Sequence, residues 1–167
     1  QPEAAASGVE WVGIAFRSGG EAFLLAREET REVMGYPASV TRVPGAKGWI
    51  RGLSNVRGQL LPVIDLKAFL VSGNTVVTRA TRVLVANHRE IPVGLVVDEV
   101  VGFRRFYESE FSADLPPTLL RCERYLAGAF KRGAEVWPVF SVRTLLESQS
   151  FLQAAASWGG TTRRQEA

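Results

Sequence analysis

Residues able to do chemistry are few in this chain, and their spacing limits what they can do. His88 is the only histidine and Cys122 the only cysteine among 167 residues. A zinc centre needs three or four clustered donors, so neither residue has like neighbours to complete one. A nucleophilic Cys–His pair between them is formally open. However, His88 stands in the turn-like run ANHREI, and Cys122 follows Arg121 in a loop-like run. The expected roles are an exposed histidine and an incidental, partly buried thiol. A single cysteine also allows no internal disulfide, which suits a reducing compartment.

The carboxylates are no better placed for catalysis. Asp98 and Glu99 are adjacent in an apolar strand-like run, and adjacent strand residues point to opposite faces. Asp65 closes the apolar run LLPVID and precedes LKAFL. It is expected to cap a short helix, a role worth about 1 kcal/mol. Neither a GxxxxGK(S/T) loop nor a GxGxxG turn between strand and helix is present, so phosphate-cradling backbone is not expected. No catalytic residue, metal site or cofactor is expected. What remains is the corner Asn55, Arg57 and Gly58 inside GWIRGLSNVRGQLLPVIDL, residues 48–66. Gly58 is expected to supply a positive φ there. Such a corner suits docking of another chain, because glycine lets a backbone approach closely.

The elements around that corner are read from periodicity. VEWVGIAFR and EAFLL form a hairpin about SGGE, and the opening corner joins two more strands near Arg57-Gly58. Residues 26–34 read as a short helix or as a loop feeding a strand. Leu66–Val71 reads as a helical turn, and 72–81 as a polar boundary. TRVLVAN and IPVGLVVDEV are strands about HRE. Residues 103–120 read as an irregular connection. YLAGAFKRG and AEVWPVF form a last hairpin at Arg132-Gly133, followed by an amphipathic helix from Ser141. The two halves echo each other, with Pro62, Pro92 and Pro138 inside strands after the turns. Proline lacks a ladder donor, so those strands are expected to be edge-like or bent at these points. Many short strands and one helix point to small antiparallel barrels or sandwiches.

Composition narrows the partners. The hydrophobic fraction is 46%, enough for a packed core, and the net charge is only +3. Arg104, Arg105, Phe106 and Tyr107 could grip a single-stranded nucleic acid. The small charge excess argues against it. No apolar run approaches the roughly 20 residues of a membrane-spanning helix. The first residues, QPEAAASG, lack a basic region followed by an apolar one, so no secretory leader is expected. The default compartment is the cytoplasm.

Residues 41–66, TRVPGAKGWIRGLSNVRGQLLPVIDL, resemble the signature of the CheW family of bacterial chemotaxis adaptors. The matching positions are Gly52, Asn55, Arg57, Gly58, Pro62 and Asp65. REVMGYPASVTRVPG, RVLVA with VGLVVDEVVG, and YLAGAFKRGAEVWPVFSVRTLL agree with three further family segments, so the resemblance spans about residues 9–148. Trp11 to Gly20, Asn55 to Pro62, Gly94 to Gly102, Phe111 to Pro117 and Trp137 to Ser141 are most similar to members serving type IV pilus twitching motility. One departure is Phe140-Ser141, where the family usually carries aspartate-leucine. Ser141 can still cap the helix, so a retained fold and a changed partner preference are expected.

The resemblance implies a mainly β fold: two SH3-like five-stranded barrels side by side with a C-terminal α-helix. The expected bounds are 9–79, 80–140 and 141–157, with tails at 1–8 and 158–167. It implies a non-catalytic adaptor that couples the cytoplasmic tips of chemoreceptors (methyl-accepting proteins) to the regulatory domain of a CheA-type histidine kinase. Recruitment to membrane receptor arrays without membrane insertion, and self-association in those arrays, are further expectations. Glu32, Asn55, Arg57 and Gly58 match the family's partner-contact positions, with Val33, Val56, Val97 and Val100 as weaker candidates. Arg57 is expected either to reach outward to a partner or to brace the fold against Glu32. Trp11, Trp49 and Trp137 are expected in the core, and Trp158 is expected to be exposed until a partner covers it.

Overall fold

Hairpins organise the computed structural model, which describes residues 8–71, 73–88, 91–118, 122–149 and 151–153. The strands are β1 (Glu10–Ser18), β2 (Glu21–Ala26), β3 (Glu32–Gly35), β4 (Ile50–Val56), β5 (Gln59–Asp65), β6 (Arg82–His88), β7 (Ile91–Val97), β8 (Glu99–Tyr107), β9 (Phe111–Ser112), β10 (Leu126–Arg132) and β11 (Glu135–Phe140). Helix α1 spans Leu66–Leu70 and α2 spans Val142–Leu146. The strands form a six-stranded sheet, β8-β1-β2-β11-β10-β9, and a five-stranded sheet, β3-β6-β7-β5-β4. The mainly β expectation holds.

Each sheet is built on two hairpins whose second strands lie parallel, β2 beside β11 and β5 beside β7. This is the structural form of the echo between the halves. The parallel ladders begin at Val63 with Gly94 and at Val139 with Leu24. Pro62, Pro92 and Pro138 all lie just upstream, where their strands have a partner on one side only. The missing proline N–H therefore costs no ladder bond.

Sheet membership does not divide at residues 79 and 80. Strands β1 and β2 pair with β8 and β11, while β3–β7 form the second sheet. The chain thus leaves the first sheet after β2, completes the second, and returns with β8. Residues 103–107, expected to be irregular, complete β8, which pairs with β1 from Glu10–Tyr107 to Arg17–Glu99 around one bulge. Pairings across such separations leave no mark in local periodicity, and the two arginines of β8 hide its alternation.

Most strands are buried on both faces, which is why they read as unbroken apolar runs. Ile14, Phe16, Phe23 and Leu25 meet Ile64, Leu84, Leu95 and Val97 in a core shared by the sheets, with Val142, Leu145 and Leu146 of α2 beside them. The intervening residues fill an interior belonging to each sheet alone: Ala15, Leu24, Phe106, Phe130 and Val139 in one, and Leu61, Val63, Val83, Val85 and Val96 in the other. Trp11 and Trp137 pack against the former and Trp49 against the shared core. Phe106 of β8 and Phe130 of β10 stack at 4.8 Å, although three strands separate them in the sheet. The six-stranded sheet therefore curls until its two sides meet. Arg132 seals that seam. It donates to Glu110 at 2.8 and 2.9 Å and to the Arg105 carbonyl at 3.2 Å, and lies 4.6 Å over the Phe106 ring.

The five-stranded sheet curls as well. Thr41 bridges to Leu53 on the β4 edge, and Ser54 donates to the Ser39 carbonyl at 2.9 Å. Gly52, at φ 141°, is needed here, since a Cβ would collide with the Thr41 carbonyl. At the far end of β5, Asp65 does cap α1, accepting from the Ala68 N–H at 3.2 Å. It is also fully buried. It accepts from Thr75 N–H and Thr75 Oγ1, both at 2.7 Å, and from Arg51 Nη2 at 2.8 Å and Nε at 3.2 Å.

Ser141 caps α2 through the Thr144 N–H at 3.2 Å. Glu29, on the crossover between the sheets, accepts from Val142 N–H at 3.2 Å and Arg143 N–H at 3.3 Å. The helix expected over 141–157 is interrupted after α2 and is helical again at 149 and 151–153. A new cap at Ser148, accepting from Phe151 N–H at 3.3 Å, accounts for the break. Residues 154–157 and Trp158 lie outside the described residues. Cys122, expected to be partly buried, is fully buried, and burial pushes its thiol pKa up.

These contacts make two outcomes testable. Asp65→Ala leaves Arg51 and Thr75 without their acceptor and should cost about 3–5 kcal/mol, read as a fall in the urea midpoint. Glu110 is held at about 2, below its ordinary 4.5, first by the Arg132 hydrogen bond and then by the Tyr107 N–H. A depressed carboxylate contributes stability above its unfolded pKa and loses it as pH falls through the folded value. Denaturant titrations from pH 4.5 down to about 2 should therefore show a loss that Glu110→Gln removes.

Candidate functional site

The β4–β5 turn places Arg57 and Gly58 at its two central positions, with φ of 51° and 79°. Positive φ at both is the signature of the primed turn that matches strand twist, normally built from Asn-Gly. Gly58 takes this conformation freely, as expected. For Arg57 the left-handed region costs about 1–2 kcal/mol. Asn55 holds the turn from within, its side-chain oxygen accepting the Gly58 N–H at 3.0 Å.

The Arg57 side chain is 68% exposed and is ion-paired with Glu32 of β3. Strands β3 and β4 are opposite edges of the five-stranded sheet, so the pair spans the margins that its curl brings together. Beside it, Arg31 donates to Gln59 Oε1 at 3.4 Å. Arg57 thus touches Glu32 and also stays accessible. An exposed pair of this kind contributes only about 0–1 kcal/mol to stability.

Two hollows flank Arg57, and Val56 and Arg57 line both. One, of about 240 Å³, includes Arg31, Glu32, Gln59 and Leu61. Two guanidinium groups against one carboxylate leave it net positive. The other, of about 490 Å³, includes Met34, Pro37, Leu53 and Asn55. Arg57 is therefore a ridge between a polar, cationic depression and one with more apolar walls.

Five sequence candidates converge here: Glu32, Asn55, Val56, Arg57 and Gly58. Val33 is adjacent to Glu32 but lines neither hollow, and is 39% exposed. Val97 is corrected: with 0% exposure it belongs to the shared core and offers no surface to a partner. Val100 is half-buried against the same core. Arg31, Gln59, Met34, Pro37 and Leu53 were not anticipated. Arg31 and Gln59 directly follow or precede candidates in sequence, but their meeting depends on β3 and β5 sharing one curled sheet.

Other chemically able groups serve the fold. Asp98 accepts the Gly19 N–H at 2.9 Å, and Glu99 pairs with Arg17 at 3.5 Å. Arg105 pairs with Glu10 at 3.4 Å, Arg104 lies 5.9 Å from the Trp137 ring, and Phe106 is buried. The basic and aromatic run of β8 is thus largely occupied within the molecule. Among the described residues, no three His, Cys, Asp or Glu side chains converge as a metal would require. Nor is any helix among them long and apolar enough to cross a membrane.

Comparison with known proteins agrees with this architecture. The CheW-like domain family matches residues 12–150. The chain is 41% identical to Protein PilI of Pseudomonas aeruginosa over 145 residues, which is 87% of this chain and 80% of that protein. It is 26% identical to Chemotaxis protein CheW of Klebsiella aerogenes over 134 residues, 80% of each chain. The crystal structure of scaffolding protein TtCheW from Thermoanaerobacter tengcongensis superposes with a TM-score of 0.73 at 23% identity, covering 84% of this chain and 95% of that one. Two curled sheets joined through a shared core, together with a family match over nearly the whole described chain, lead to one conclusion: the protein belongs to the CheW-like domain family.

Proposed function

We propose that the protein is a non-catalytic adaptor of a chemosensory pathway, coupling the cytoplasmic tip of a chemoreceptor to a CheA-type histidine kinase. The likeness to Protein PilI supports an output through type IV pilus twitching motility. In this reading residues 9–148 act as one unit, and each curled sheet is an SH3-like barrel. The protein works in the cytoplasm and reaches receptor arrays by binding, not by insertion.

The observation that carries the reading is the backbone of Arg57. A non-glycine residue is held in a costly conformation at a position where asparagine or glycine would relieve it. Strain of this kind persists where the side chain is needed. The guanidinium is exposed, and hollows on both sides can receive the flanks of a helical tip in a helix-in-groove mode. Arg57 then makes charge-assisted hydrogen bonds to carboxylates or carbonyls of that tip, with Glu32 orienting it beforehand. The kinase's homologous domain docks on a sheet edge.

Arg57→Asn tests this directly. Asparagine suits the turn, so the melting temperature should hold or rise. Receptor-tip capture should fall at least tenfold. Intact capture with a lower melting temperature would instead make Arg57 a brace.

A further inference from the structure

The smaller hollow beside Arg57 holds more donors than its own walls satisfy. Its polar members are Arg31, Glu32, Arg57 and Gln59. Leu61 and Val85 also line it, and both are buried. A guanidinium has five N–H donors, no acceptor and a permanent charge. Glu32 is the carboxylate among the described lining residues, and Arg57 already pairs with it. Arg31 donates to Gln59 Oε1 at 3.4 Å, and among the described residues it has no carboxylate partner.

The crossover between the sheets fixes Arg31 in place. Its N–H donates to the Val85 carbonyl at 2.7 Å, where β3 begins against β6. Two residues earlier, Glu29 accepts from Val142 N–H at 3.2 Å and Arg143 N–H at 3.3 Å at the start of α2. The backbone that carries the guanidinium is thus tied to the five-stranded sheet on one side and to α2 on the other. A cation positioned beforehand binds an anion at lower entropic cost. The buried apolar residues behind it lower the local dielectric, so a charge-assisted hydrogen bond there is stronger than one in open water.

We propose that this hollow is a carboxylate clamp, in which an acidic side chain of the docked helical tip is held between Arg31 and Arg57. The proposal rests on the corner being the docking site of that tip, and it adds a second cation from the opposite margin of the sheet. Charge selects the occupant. Two guanidinium groups against Glu32 leave one positive charge in excess, and one further carboxylate makes the hollow neutral. A carbonyl would leave the excess in place, and a lysine or arginine would add to it. Glu32 engages Arg57, so Arg31 is the main partner of the entering group, with Gln59 orienting it. Arg31 is therefore a specificity residue: it favours tips with an acidic side chain at one position and disfavours tips without it.

Calorimetric titration with a helical-hairpin fragment of a chemoreceptor tip tests the proposal, beside fragments in which each glutamate or aspartate is replaced singly by its amide. Arg31→Gln should weaken binding about tenfold with the melting temperature unchanged, since the side chain is exposed. Arg31→Lys should recover only part of the loss, because an ammonium lacks the planar fork. One amide fragment should lose the same factor against the wild-type chain and lose nothing further against Arg31→Gln, a coupling that a merely structural arginine would not produce. Undiminished binding by Arg31→Gln where Arg57→Asn binds poorly, or a loss that no amide fragment reproduces, would overturn the clamp and leave the docking reading standing. Undiminished binding by Arg57→Asn would sink the docking reading and the clamp with it. Sodium glutarate is the control for a free anion: a saturable shift of the Arg31 Nε–H resonance in a chain that binds no tip would assign the hollow to a small carboxylate and overturn the proposal.

Discussion

The buried carboxylate of Asp65 sets the frame for the Arg57 corner. Asp65 lies at the end of β5, fully enclosed, and accepts from Arg51, from Thr75 twice and from the first turn of α1. A charge removed from water costs several kcal/mol unless every lone pair is used. Satisfying it therefore requires β4, β5, α1 and the following loop to take one mutual arrangement. The β4–β5 register is fixed by the same contacts, because a slip by one residue would move Asp65 to the other face. Arg57 sits at the opposite end of that hairpin, and its position follows from that register.

The second constraint is curvature. Each sheet buries both of its faces, one in the shared core and one in its own interior. Burial on the inner face draws the margins together, until Phe106 reaches Phe130 in one sheet and Glu32 reaches Arg57 in the other. The cationic hollow is a product of that closure, since its walls come from both margins of the five-stranded sheet. The strain at Arg57 is tolerated because Asn55 and Gly58 make the rest of the turn well formed.

Much of the corner is legible in the amino-acid sequence. Asn55, Arg57 and Gly58 form a turn signal between apolar runs, and Asp65 before LKAFL is a cap signal, because both rest on local backbone rules. Val97 is not legible as core: a valine in an apolar strand looks the same whether it faces a partner or a second sheet. The strand β8 is hidden by Arg104 and Arg105, whose guanidinium groups lie along Trp137 and Glu10. The assignment of strands to consecutive halves fails because the first sheet pairs segments far apart in the chain, such as Glu10 with Tyr107.

The sequence by itself determined the hairpins, the turn chemistry at Arg57-Gly58, both helix caps and the family, since each depends on residue types within a short span or on motifs in fixed order. Tertiary structure decided which hairpins share a sheet, which valines are core, and that Arg31 and Gln59 join Glu32 and Arg57. It also decided that the cap residue Asp65 is a buried hub and not merely a surface cap. These outcomes depend on burial and long-range pairing, which are properties of the assembled chain and not of any window within it.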